Sequence, residues 1–122
     1  MTPPVEPPWK LSMSVRDGRL IARCDGDHQL VADFFNEEIN GYAEPDRSVL
    51  RMAVAARDLN ASDTFGTDAF SLEFEPGRVS LVREFFEDVD AISVPATEFV
   101  SALTAYMNAC HEFQQAHRPR GD

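Results

Sequence analysis

The chain is poor in the residues from which metal and catalytic centres are commonly built. Cysteine occurs twice, at Cys24 and Cys110, without a CxxC pair, and histidine occurs three times, at 28, 111 and 117. His111 and His117 lie too far apart to present two ligands on one helical face, so the pattern argues against a metal site. Asp25-Gly26-Asp27 begins like a calcium loop but lacks the run of oxygen ligands that closes on a glutamate, and it reads as a turn. There is no glycine-rich phosphate loop, no GxSxG, and no serine or cysteine with an evident histidine partner. No catalytic residue and no cofactor is therefore expected.

Long apolar runs are also missing, and nothing approaches the roughly 18 residues that span a bilayer. Met1 to Pro8 has no basic stretch followed by an apolar one, so it reads as a flexible proline-rich lead-in and the expected location is cytoplasmic. Both cysteines stand among apolar residues and are expected to be buried thiols. A disulfide would be compatible with a strand packed on the last helix, but a chain without an export signal favours reduced cysteines.

Positive charge is the third scarcity. Lys and Arg number 11 against 21 Asp and Glu, a formal charge of −10. Nucleic acid and anionic membrane surfaces are disfavoured, because holding either requires a surplus of Lys and Arg. A basic protein is the partner that such a field draws in, whereas the plainer use of the charge is solubility.

What is present is enough for a folded core. The 122 residues include 43% hydrophobic residues and nine phenylalanines, which suits one α+β domain over residues 9–116 with a frayed tail at 117–122. Leu11, Met13 and Val15 alternate before Asp17-Gly18, and Leu20, Ala22 and Cys24 alternate after it, the pattern of a tight hairpin. Leu30, Val31, Phe34, Phe35 and Ile39 recur at helical spacing, although residues 28–40 could also begin as a strand. Asp46 is placed to cap a second helix with a stripe of Val49, Leu50, Ala53, Val54, Ala56 and Leu59. Asn60 to Thr67 has no period and reads as a loop.

A second hairpin follows, with Phe70, Leu72 and Phe74 on one face and Pro76-Gly77 at the turn. Ala91 to Val94 supplies one further short strand. Pro95 is then expected to open a long helix with the stripe Phe99, Leu103, Tyr106, Cys110 and Phe113. Two one-sided hairpins bury their faces best in one antiparallel sheet of four or five strands, with about three helices mainly on one side, in the order ββ-αα-ββ(β)-α.

Two acidic clusters stand beside aromatic residues. Asn36-Glu37-Glu38 follows Phe34-Phe35, and Glu84, Glu87, Asp88 and Asp90 surround Phe85-Phe86. Glu37, Glu38, Glu84, Phe86, Glu87, Asp88 and Asp90 are the candidate partner-binding residues, since an apolar anchor ringed by carboxylates suits a basic partner. The competing reading turns the phenylalanines into the core and the carboxylates to water. Burying both Phe85 and Phe86 would need a bend, because neighbours on a strand face opposite sides.

The strand pair leading into Phe35-Asn36-Glu37-Glu38-Ile39, the alanine-rich middle helix, the hairpin from Phe70 to Arg83, the acidic connection and the helix with Phe99, Ala102 and Tyr106 together resemble the YacL family of small bacterial proteins. That resemblance covers about Leu11 to Phe113. It implies an α+β cytoplasmic domain without known catalytic residues, similar to small acidic folds among the immunity proteins of bacterial toxin systems. The expectation is a non-enzymatic binding protein, monomeric or homodimeric, that neutralises a basic, nuclease-type toxin. The alternative is a structural or regulatory cytoplasmic domain that forms homodimers.

Overall fold

A computed structural model describes residues 7–39, 43–85 and 88–116. The chain runs through strands β1 (Ser12–Arg16) and β2 (Arg19–Arg23), helices α1 (Gln29–Glu38) and α2 (Ala43–Asp58), strands β3 (Asp63–Gly66), β4 (Phe70–Glu75), β5 (Arg78–Phe85) and β6 (Asp88–Pro95), and helix α3 (Ala96–Ala116). The α+β class and the order of hairpins and helices agree with the sequence reading. The hairpins, however, do not merge: β1 and β2 form a two-stranded sheet, and β3-β4-β5-β6 form a separate antiparallel sheet of four.

Both tight turns have the backbone that their residues prefer. Asp17 and Gly18 take φ of 52° and 75°, as a type I′ turn requires, and pair Arg16 with Arg19. Gly77 takes φ of 76° in the β4–β5 turn. Its N–H donates to the Ala56 carbonyl at the end of α2, and its carbonyl accepts from Ala96 at the start of α3, each at 2.9 Å. The turn thus ties two helices to the large sheet.

In β4 burial alternates strictly, with Phe70, Leu72 and Phe74 inward and Ser71, Glu73 and Glu75 outward. Val79, Leu81 and Val94 continue the inner face across β5 and β6. The small hairpin is less regular. Ala22 is buried and Met13 is half-buried, but Val15 is 53% exposed because the hairpin extends past the core.

Residues 29–38 form a helix from the outset, and Phe34 and Phe35 are both sealed in the core. Helical neighbours diverge by about 100°, and α1 has a neighbour on each side. Phe34 meets Phe70 of the sheet edge-on at 5.3 Å, whereas Phe35 stacks on Tyr106 of α3 at 5.3 Å and meets Phe99 at 6.0 Å. Ala53 and Ala56 of α2 and Ala102 of α3 are fully buried, and such small side chains let these two packed helices approach closely.

Several local expectations are corrected. The aperiodic stretch 60–67 contains β3, whose pairing with β4 depends on that neighbour and not on its own pattern. Asp46 does not cap α2, which begins at Ala43; it is buried within the helix, and Leu59, expected in the stripe, is 76% exposed just past the helix end. Pro95 ends β6, with α3 beginning at Ala96. Cys24 is only half-buried; it and the buried Cys110 are both free thiols. At the N-terminal side Pro8 already belongs to a short 3-10 turn, where Trp9 stacks on His28 and donates to Glu98 Oε1 at 2.9 Å. The expected tail at 117–122 and positions 1–6 of the lead-in lie outside the described residues.

Candidate functional site

The two acidic clusters of the sequence meet at one end of the large sheet, and Arg83 is where they join. In the β5–β6 ladder Arg83 lies opposite Asp90. Its guanidinium reaches Asp33 Oδ2 and Glu37 Oε2 of α1, both at 3.4 Å, and its Cζ stands 5.3 Å from the centre of the Phe70 ring. Asp33 and Glu37 are four residues apart on α1, so one arginine spans both. Asp33 also accepts from Gln29 Nε2 at 3.0 Å.

Beside this arginine a concavity of about 250 Å³ is lined by Asp27, Gln29, Leu30, Asp33, Asp90 and Ala91. Three carboxylates therefore converge on it from a 3-10 turn, a helix and a strand. Glu84 is exposed at the same end but on the opposite face of the sheet, across from Val89. These carboxylates are partly solvated, so each ion pair with Arg83 contributes at most about 1 kcal/mol, and the excess negative charge of the group remains available to an incoming cation. The surface is not evenly acidic, since Arg16 and Arg19 are exposed at the β1–β2 turn.

Of the expected partner-binding residues, Glu37, Glu84 and Asp90 lie at this end. Glu38 is half-buried and about 100° further round α1. Phe86 and Glu87 lie outside the described residues. Asp88 begins β6 by its backbone, and its side chain likewise falls outside. For Phe34 and Phe35 the interface reading is wrong: both are core residues. Sequence reasoning missed Asp27, Asp33 and Arg83. The i, i+4 spacing of Asp33 and Glu37 was a usable signal, whereas the partnership with Arg83, fifty residues on, was not.

A second concavity, of about 230 Å³, lies between the small hairpin and α3, where Arg19, Asn36, Ile39, Tyr106 and Cys110 meet. Tyr106 donates to the Ile39 carbonyl at 3.1 Å. Burial, reinforced by the neighbouring Cys110 and Asp46, raises the Tyr106 hydroxyl above its ordinary range. Burial is also the chief cause that raises the Cys110 thiol. Cys24 is lifted to about 11, again chiefly by burial. Both thiols hold their protons at neutral pH and are poor nucleophiles there.

Among the described residues no group of three His, Cys, Asp or Glu side chains is placed to hold a metal ion, and no helix is long and apolar enough to cross a membrane. Comparison with protein-family models, with curated proteins and with solved structures yields no match.

Proposed function

We propose that the chain is a non-enzymatic acidic binding protein, and that its role is that of an immunity protein neutralising a basic, nuclease-type toxin in the cytoplasm. The observation that carries this reading is the convergence of Asp27, Asp33 and Asp90 on one concavity, with Glu37 bound to the same Arg83 and Glu84 on the sheet's other face. A nuclease must present Lys and Arg to hold phosphates, and a surface of carboxylates occupies the same groups. Such a surface also accelerates encounter with the basic partner.

The test is to find whether the neighbouring reading frame encodes a basic nuclease domain and to titrate that domain with this chain, read by DNA or RNA cleavage and by stopped-flow association. Inhibition at one equivalent is expected. Asp90→Lys combined with Glu84→Lys should slow association about tenfold at low salt, with the difference shrinking as salt rises. Cleavage that continues with the wild-type chain in excess would overturn the role, and unchanged association by the double variant would remove this end of the molecule from it.

A further inference from the structure

The two sheets treat their edges differently, and the difference identifies how a partner can be held. In the small sheet the outer edge of β2 is occupied by side chains of α1. Ala22 N–H donates to Asn36 Oδ1 at 2.8 Å, Asn36 Nδ2 donates to the Ala22 carbonyl at 3.0 Å, and Cys24 N–H donates to Gln29 Oε1 at 2.9 Å. Among the described residues the edge of β6 has no such cover from a helix, and only Arg78 of the neighbouring strand reaches it, at Ser93.

The phase of the β5–β6 ladder follows from one hydrogen bond, Ala96 N–H to the Gly77 carbonyl. In an antiparallel ladder, bonded and non-bonded pairs alternate. Counting by twos from that bond, Val79–Val94, Leu81–Ile92 and Arg83–Asp90 are the bonded pairs. The amides and carbonyls of Val89, Ala91 and Ser93 consequently point away from β5, along the open edge.

One half of that edge is partly occupied. Arg78 donates through Nε to Ser93 Oγ at 2.9 Å and through Nη2 to the Ser93 carbonyl at 3.4 Å, and Pro95 has no N–H to offer. The other half carries two outward N–H groups and two outward carbonyls, at Val89 and Ala91, and among the described residues no backbone or side chain pairs with them. Val89 is 63% exposed. The open half is the acidic half, because Asp90 and Ala91 line the concavity that Asp27 and Asp33 share. An exposed strand edge is a template for another strand, and charge decides which strand it accepts.

We propose that Val89 and Ala91 accept an extended basic segment of the partner as an added strand. This rests on the reading of the acidic end given above and adds the mode of docking. Side chains of an added strand alternate, so one set enters the concavity of Asp27, Asp33 and Asp90 and takes Lys or Arg. The other set lies over the open sheet face, beside Val82, Val89 and Ala91, and takes short or apolar residues. A second copy of this chain is opposed as the occupant by its own charge of −10.

The probe is a heptapeptide, blocked at both ends, with the sequence Lys-Thr-Lys-Val-Lys-Thr-Lys, titrated into the full chain and followed by amide NMR. Two analogues carry N-methyl groups on alternate backbone nitrogens, one in each phase. Saturable binding is expected, with Val89 and Ala91 amides protected from exchange. One phase of methylation should weaken binding about tenfold or more, and the other should leave it nearly unchanged. Ala91→Pro removes an outward N–H without breaking the β5–β6 ladder, so this variant should fold and bind about tenfold more weakly. Equal binding by both methylated analogues would show attachment by charge alone and overturn strand addition while leaving the acidic-end reading intact. Full-strength binding by a folded Ala91→Pro variant would also overturn it, as would protection of the same amides in a peptide-free dimer. If no peptide binds, strand addition falls, and the nuclease titration decides whether the wider reading falls with it.

Discussion

The carboxamide of Asn36 closes a two-point ring with the backbone of Ala22, accepting from its N–H at 2.8 Å and donating to its carbonyl at 3.0 Å. A side chain of α1 thereby stands where a third strand of the small sheet would run. A two-stranded hairpin is marginal by itself, and this ring fastens it to a helix that is itself in the core. Removing the amide leaves a half-buried N–H and carbonyl unpaired, which typically costs about 1–3 kcal/mol.

Asn36→Leu should therefore destabilise the protein by about 2 kcal/mol in urea unfolding. Asn36→Asp keeps the acceptor but sets an anion against the Ala22 carbonyl, so it should rescue little. Equal stability of all three proteins would mean that water replaces the amide without loss.

Phe35 lies between Tyr106 and Phe99 and is fully buried. Phe35→Ala should cost about 4 kcal/mol, through lost transfer energy and the cavity left between α1 and α3. A calorimetric loss below about 1 kcal/mol would indicate that α1 collapses onto α3.

Gly77 holds φ of 76°, and the position a methyl group would take there is surrounded by open space, so only the backbone objects to a side chain. Gly77→Ala should cost about 1–2 kcal/mol, and Gly77→Asn less, since Asn tolerates the left-handed region better. Identical thermal midpoints for glycine and alanine would contradict the turn geometry.

Arg83→Met leaves Asp33 and Glu37 side by side on α1, with Asp90 opposite position 83 on β6, without the cation that Asp33 and Glu37 share. At low salt the variant should lose about 1 kcal/mol of stability, and added salt should restore most of it. A loss that persists at high salt would assign the role of Arg83 to packing over Phe70 instead.

Stability should fall in alkali. Burial raises the Cys24 thiol from 9.0 to about 11, and it also raises Cys110 and Tyr106. Each group keeps its proton longer when folded, so the unfolded chain binds fewer protons as the solution passes pH 9. The stabilising contribution of Cys24 is whole below about pH 9 and is lost by about pH 11. Urea midpoints should decline over that window, less steeply in Cys24→Ala. A midpoint that rises there would refute the buried, protonated thiols.

Local pattern alone determined a good deal. Asp17-Gly18 and Pro76-Gly77 set both tight turns, the strict alternation from Phe70 to Phe74 set the inner face of β4, and the spacing of Phe99, Leu103 and Tyr106 set the buried face of α3. Each of these is written in torsional preference and in one apolar face, which neighbouring residues suffice to encode. The sign of the molecule's charge is likewise a property of composition.

Only the tertiary structure decided which faces meet. The local pattern left residues 28–40 open between strand and helix, and nothing in β3's own residues distinguishes a strand from a loop until β4 lies beside it. Phe34 and Phe35 are both buried because α1 has the sheet on one side and α3 on the other. The acidic end exists because Arg83 bridges to carboxylates fifty residues away, and the open edge at Val89 and Ala91 exists because Arg78 and Pro95 partly occupy only the other half. Contacts of that range depend on the packing of whole elements, and no window of neighbouring residues contains them.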